Sequence, residues 1–191
     1  MELIPTLKIG WLNAWILMLY FPLHPLIMIA VDKAVGTGDI FKKMGEVPYE
    51  KSEKRAYVIY MVIMFILIVY SVFLPLKLGT AWFYAGLTIY LVGLAIFLTT
   101  IVNIAATPLG QLFTKGLYHY SRHPGYISMS MINVGVGVAS ASWIFLLLSV
   151  VIMLLNSQVE AEERGCLETY GDKYQDYMNR TPRWIGKPKS K

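Results

Sequence analysis

Apolar and polar residues fall in long blocks along this chain. Apolar runs occur at roughly Ile9–Val31, Ala56–Leu76 and Ala81–Ala106, each long enough to carry a helix across about 30 Å of hydrocarbon. A fourth, Tyr126–Asn156, is too long for one simple crossing, because about 1.5 Å per residue would take it well beyond the bilayer. Within it, "GVGVASASW" places small residues at Gly135, Gly137, Ala139 and Ala141, and small side chains let two helices approach closely and turn in little space. The pattern therefore predicts an all-α fold. It is an integral membrane helical bundle of about five transmembrane helices, the last two a helical hairpin, followed by a cytoplasmic C-terminal helix. No internal repeat or low-complexity tract is found. The first run contains "FPLHPL", with His24 between Pro22 and Pro25. The two prolines are expected to break the helix and admit water, and an ionisable group at that depth is a candidate for function.

Composition agrees with a membrane protein: of 191 residues 56% are hydrophobic and only 15% charged, which disfavours a soluble domain. The net charge of +5 sits in short segments between apolar runs, which suits anionic headgroups better than nucleic acid. Charge also decides the number of spans, because cytoplasmic loops collect Lys and Arg. With five spans, 15 of the 17 basic residues fall on one side, leaving only Lys8 and Lys77 opposite. With four the split is eight against nine. Five spans predict an N-terminus outside and a C-terminus in the cytoplasm, with Trp11, Trp82 and Trp143 near the outer boundary as an aromatic belt. A cleavable signal peptide is not expected, since the first apolar run is long and no small-residue cleavage site follows it. One cysteine, Cys166, gives no disulfide framework.

The polar groups able to do chemistry concentrate on the predicted cytoplasmic side, in Thr107–Tyr126, Gln158–Tyr174 and Gln175–Lys191. Pro124 suits the first turn of a helix, and the residue before a proline is pushed out of the helical region, so His123 stands at a helix mouth. That mouth offers free N–H groups and a positive dipole end, to which Arg122 adds a fixed charge. The motif reads as a receptor for a carboxylate or phosphate, or as a basic turn anchoring a helix at the headgroups. Glu160, Glu162 and Glu163 follow the last span; Glu162 lies one turn beyond Gln158, on the same face. A carboxylate there can accept hydrogen bonds from ribose hydroxyls or sit near a cation. His119 and His123 are four apart, but Pro124 prevents one continuous helix and no third ligand completes a metal site, so no metal is expected. Neither a G-x-G-x-x-G motif nor a P-loop occurs.

"GLYHYSRHPGY", then the paired glutamates, then "YGDKYQDYMNRTP" together resemble the membrane methyltransferases typified by isoprenylcysteine carboxyl methyltransferase and, more distantly, phospholipid N-methyltransferase. The resemblance covers roughly Asn103–Pro182. It implies a small bundle that binds S-adenosylmethionine on the cytoplasmic side and takes a lipid-like or prenylated acceptor from the bilayer, with no nucleic acid and no metal. Position by position it implies cofactor contacts from Gly110, Gln111, Leu112, Phe113, Tyr118, His123, Pro124, Gly125, Tyr126 and Glu162, extending to Asn103. Arg122, His123 and Glu163 become the candidate catalytic residues, with Glu163 or His123 as a base where the acceptor is an amine. Gln158 and Arg180 become candidates for acceptor binding. One departure matters: where the carboxyl methyltransferases carry an arginine for the acceptor's carboxylate, this chain has Gln158, which cannot neutralise an anion. Arg180, Arg183 or Arg122 are the candidates to replace it.

The division expected is one domain, with variable spans over 1–102, a cofactor-binding core over 103–182 and a basic tail over 183–191. Two other readings are open. An NADPH-dependent reductase of a lipid enone shares the closing Tyr-Gly and Arg-x-Pro pattern, but six acids against two bases in Gln158–Asp176 suit its phosphates poorly. A non-enzymatic membrane scaffold would use the five bases from Arg180 onward for lipid contact.

Overall fold

A computed structural model describes residues 1–189 except 2, 4, 37, 46 and 156, and of residue 157 the backbone alone. Every regular element among the described residues is a helix. The first rod consists of α1 (Trp15–Met18) and α2 (Tyr20–Val35). It does not break at the prolines: α2 runs through both, Pro22 in the first turn and Pro25 inside. A proline in the first turn gives up an N–H that has no helical partner there anyway, and the bend expected at "FPLHPL" reduces to the irregular Leu19. His24 packs edge-on against Phe97, with ring centroids 4.8 Å apart.

Next come α3 (Ile40–Met44), α4 (Lys51–Phe73) and α5 (Ala81–Ala106). A reciprocal capping box between Glu50 and Glu53 starts α4, and Thr80 caps α5 through the Phe83 N–H. Val58, Ile59, Val62, Phe65, Ile66 and Val69 on α4 are all exposed, as a lipid-facing stripe requires. The chain then passes through a 3-10 turn (Gly116–His119) into α6 (Pro124–Ala139), α7 (Trp143–Leu154), α8 (Ser157–Tyr170) and α9 (Asp172–Arg180).

The tightest packing joins α5 to α6. A Cβ on Gly86 would run into the backbone of Ala139, and one on Gly135 would lie 2.6 Å from the Tyr90 nitrogen and 2.8 Å from the Gly86 carbonyl. Glycine here is a condition of close approach, and in lipid such contact replaces the hydrophobic effect as the force between helices. Buried polar groups add to it: the Tyr20 hydroxyl donates to Asn133 Oδ1 at 3.2 Å. Residues 140–142 turn α6 into α7, with Ala141 at φ 52°.

The ends of the bundle are chemically distinct. At one end Asn13 Nδ2 donates to the Val72 carbonyl at 2.7 Å, and the Lys77 N–H donates to the Ala139 carbonyl at 3.0 Å. These bonds bring the N-terminal arm, the α4–α5 loop and the α6–α7 turn together. Trp11, Trp82 and Trp143 are exposed there. The opposite end holds α3, the α5–α6 connection, α8 and α9. Lys43, buried, reaches the Ala105 carbonyl at 2.6 Å and Asp32 at 3.6 Å, which ties α3 to the end of α5.

Among the described residues, four helical segments are long and apolar enough to cross a membrane: Trp15–Val35, Lys51–Phe73, Ala81–Ala106, and Trp143–Tyr170 taken across the break between α7 and α8. In the last, the apolar part is α7; α8 carries Glu160, Glu162, Glu163, Arg164 and Glu168, too many charges for hydrocarbon. The sixteen residues of α6 reach only about 24 Å. Replacing Gly135 with Ala should lower the thermal unfolding midpoint in detergent, at a cost of about 1–3 kcal/mol. An unchanged midpoint would show that α5 and α6 are not packed this closely.

Candidate active site

The site begins where α5 ends. Gly116 has φ 61°, and a Cβ there would collide with the side-chain amide of Asn103; glycine permits both the backbone and the contact. Asn103 Nδ2 is buried with no hydrogen-bond partner. Past the 3-10 turn, Ser121 Oγ accepts the His123 N–H at 3.0 Å, fixing the backbone just ahead of α6. Pro124 is the first residue of α6 and His123 its cap.

Around His123 the structure gathers an ionic cluster. Imidazole Nε2 lies 3.1 Å from Glu163 Oε1 and Nδ1 3.5 Å from Glu162 Oε2. Glu163 also receives Arg122 at 2.9 Å and a two-pronged contact from Arg183, Nη2 at 2.6 Å and Nε at 3.2 Å. Arg122 spends Nη1 on the Met178 carbonyl at 3.1 Å. Glu162 is more open, its side chain 34% exposed against 5% for Glu163, and it accepts a 2.6 Å hydrogen bond from the Tyr126 hydroxyl.

Geometry sets the charge states. Burial would push the Glu163 carboxyl up, but hydrogen bonds from His123 and Arg183 and the charge of Arg122 outweigh it and hold the group down at about 2. Burial opposes charge on His123, yet the two glutamates raise its affinity for a proton above the ordinary value. Burial, then the charge of Glu162, pushes the Tyr118 phenol up and likewise that of Tyr49, to about 12. Burial also pushes the Cys166 thiol up to about 11, so Cys166 is not a thiolate nucleophile at neutral pH.

The candidates from the sequence sort unevenly. Arg122, His123, Tyr126, Glu162 and Glu163 meet directly, with Pro124 and Gly125 at the helix mouth beside them. Tyr118 feels the Glu162 charge, and Phe113 packs on Tyr118 with centroids 5.4 Å apart. Gly110 and Gln111 are exposed and Leu112 half-buried, on the connection but outside the ionic cluster. Gln158 is buried in the first turn of α8. Arg180 does not join: it is exposed, and its Nε donates to the Asp176 carbonyl at 3.1 Å, on the far side of α9. Glu163 belongs to the cluster but does not suit the role of base, because three cationic partners leave its carboxylate little affinity for a proton. His123, flanked by two carboxylates, suits a proton donor better than a base.

Two features escape sequence reasoning. Arg183 and Trp184, placed there in a basic tail, return to the site: Ser121 Oγ donates to the Arg183 carbonyl at 3.3 Å, and Trp184 faces His123 with centroids 6.2 Å apart. A boundary at 182/183 therefore divides a single cluster. The connector before α4 also reaches α8, since Arg164 holds Glu53 at 2.7 Å and the Pro48 carbonyl at 2.6 Å. Tyr49 then stacks on Tyr57, centroids 5.4 Å apart. Among the described residues, no group of three or more His, Cys, Asp or Glu is placed to hold a metal.

An all-helical membrane bundle with an ionic site at one end of its glycine-packed pair defines the class: an integral membrane protein with a compact polar centre. A family model for phospholipid methyltransferase matches residues 78–173, half of the chain, from just before α5 into α9. The chain belongs to the phospholipid methyltransferase family and is an S-adenosylmethionine-dependent methyltransferase of the EC 2.1.1 class. No curated protein matches it significantly.

The His123 charge makes a pH prediction. A group whose folded affinity for protons is raised stabilises the fold fully below its unfolded pKa, and that contribution is lost as pH rises through the folded value. The melting temperature in detergent should therefore fall as pH rises above about 6.5, and His123→Asn should flatten that slope. An equal slope in both proteins would place the titrating group elsewhere.

Proposed function

We propose that the ionic cluster binds S-adenosylmethionine and that the acceptor is an amine-bearing phospholipid headgroup. The residues fit the cofactor. Asn103 Nδ2 is a buried donor lacking an acceptor, the α6 mouth with His123 suits a carboxylate, and the half-open Glu162 can take ribose hydroxyls. Phe113 and Tyr118 supply aromatic walls for an adenine. S-adenosylmethionine supplies, when bound, a methyl group on a sulfonium already activated for displacement. The protein's part is to hold both substrates in line and keep water out. Arg122, Arg183 and Glu163 act as positioning residues that lock His123.

The observation that carries the choice of acceptor is the commitment of the arginines. A prenylated cysteine presents a carboxylate, which needs a free cation. Arg122 and Arg183 are bound to Glu163, Arg180 faces away, and Gln158 is neutral. An amine needs no such cation; the carboxylate of Glu162 and the tyrosines near it favour its ammonium form on binding, and the half-open Glu162 is the group placed to take the proton that must leave before the nitrogen attacks the methyl group. The test is to supply methyl-labelled S-adenosylmethionine to the purified protein with phosphatidylethanolamine and a farnesylated N-acetylcysteine in the same nanodiscs. Label should enter the amine lipid, and Glu162→Gln should cut the rate by at least about tenfold. Label in the farnesylcysteine alone would overturn the reading of the acceptor.

The same reading counts α6 as a fifth crossing, with the N-terminus outside and the site cytoplasmic. Its support is the basic bias toward the end that carries the site, together with the bond from Lys77 to Ala139, which brings the α6–α7 turn level with the α4–α5 loop. In a Cys166→Ser background, cysteines at positions 77 and 187 should react with an impermeant maleimide from opposite sides of intact cells. Labelling of both from one side would sink the five-crossing arrangement.

A further inference from the structure

The outer flank of α9 carries a second polar site. A cavity of about 410 Å³ opens between α9, the α5–α6 connection and the returning C-terminal segment, and Thr114, His119, Lys173, Arg180, Thr181 and Lys189 contribute to its walls. Among the described residues, no carboxylate side chain lines it. Among the described residues, none of Lys173, Arg180 and Lys189 forms an ion pair. Three cations, an imidazole and two hydroxyls therefore line one space with no ion pair among the cations, and although the cations reach solvent, an anion there would meet several donors at once.

We propose that this cavity binds a phosphate group, foremost that of an anionic phospholipid at the membrane surface. Several donors of different reach suit the multiple oxygens of a phosphate better than a single carboxylate, and the guanidinium of Arg180 offers a planar fork to two of them. The volume exceeds what one phosphate fills and leaves room for a glycerol headgroup. The position agrees: the connection carrying Thr114 and His119 leaves the apolar helix α5 at Ala106 and enters α6 at Pro124, so it runs along the boundary where headgroups lie. Basic pockets at that level are where anionic lipids bind. The Lys189 N–H donates to the Arg180 carbonyl at 2.9 Å, which holds the backbone of the returning segment against the end of α9 and so forms that wall of the cavity.

The cavity is separate from the ionic cluster but coupled to it through α9. Lys173, Tyr177 and Arg180 share the cavity-facing side of that helix, while the Tyr177 hydroxyl donates to the Tyr118 carbonyl at 2.6 Å and Arg122 binds the Met178 carbonyl. A phosphate held on one flank of α9 would steady the groups braced by the other. The inference rests on the cavity alone and stands whichever acceptor the ionic cluster serves.

Native mass spectrometry of the full chain in detergent tests it, with phosphatidylglycerol, phosphatidylcholine and glycerol 3-phosphate as probes. The wild-type protein should retain phosphatidylglycerol over phosphatidylcholine, and K173A/R180A should weaken that retention by about tenfold or more. Should glycerol 3-phosphate raise the wild-type melting temperature, but not the variant's, with no lipid preference, the phosphate comes from a soluble ester; the site stands and the lipid source falls. Equal retention of every probe by both proteins would overturn the proposal. If the double variant does not fold, Lys189→Ala, at an exposed position, gives the same comparison.

Discussion

A buried carboxylate organises the site end of this molecule. Glu163 lies almost entirely out of water, and an ionised group there is tolerable only with charged partners. It finds three, from two distant places in the chain: Arg122 and His123 just before α6, and Arg183 after α9. Each contact is a constraint on the path of the backbone. Arg122 and His123 fix the entry to α6, Arg183 folds the C-terminal segment back across α8, and the Arg122 bond to Met178 seats α9. Removal of this one carboxylate would leave the Arg122 side chain buried with a single carbonyl partner, although bonds such as Tyr177 to the Tyr118 carbonyl would still join α9 to the connection before α6.

The neighbouring glutamate has the opposite character. Consecutive residues on a helix point about 100° apart, and here that rotation separates two roles. Glu163 turns inward, saturated by cations; Glu162 turns toward Tyr126, Tyr118 and Tyr49, with open surface. On the proposed reading the first is architecture and the second meets ligand. His123 joins the two, one ring nitrogen on each, which fixes the plane of its ring and favours the protonated form. A paired-glutamate motif thus supplies both a structural counter-ion and an accessible acceptor without a metal ligand set.

How much of this was legible in the sequence follows from the range of the interactions involved. Helical blocks are local, so their places were readable from the apolar runs, with α5 matching its run end to end and the others differing by several residues, and the glycines of α6 announced close packing before the partner surface on α5 was known. The cap at His123 and Pro124 was equally local. The pairing of Arg183 with Glu163 was not, because its twenty-residue separation depends on how α8, α9 and the return segment turn. Basic residues near a terminus look alike in sequence, so Arg180 was the equal candidate; in the structure Arg180 ends α9 on its outer flank, and the extended chain from Thr181 carries Arg183 away to Glu163. The contact of the connector carrying Tyr49 with α8 was not legible, because its partner, Arg164, lies more than a hundred residues on. The prolines at 22 and 25 misled for a different reason: Pro22 near the helix start removes a bond that was never made, and the loss of one bond at Pro25, inside α2, does not end the helix.

The staggered ends of α5 and α6 bear on how a lipid could reach such a site. A Cβ on Gly125 would meet Thr100 at 3.9 Å, so α6 begins beside Thr100 and not beside the last residue of α5. The remaining turn and a half of α5, about 9 Å, continues past the start of α6 and carries Asn103 beside the 3-10 turn. His123, Tyr126 and the glutamates therefore sit below the rim formed by the end of α5 and by α3, toward the apolar part of the bundle. A headgroup moving to a site recessed in this way need not lift its acyl chains out of the bilayer, whereas a site at the level of the rim would expose them to water at about 0.8 kcal/mol per CH₂ group. On the proposed reading, the glycines that let α6 pack so deeply against α5 thus do more than hold two helices together: they set the depth at which a lipid acceptor and a polar methyl donor would meet.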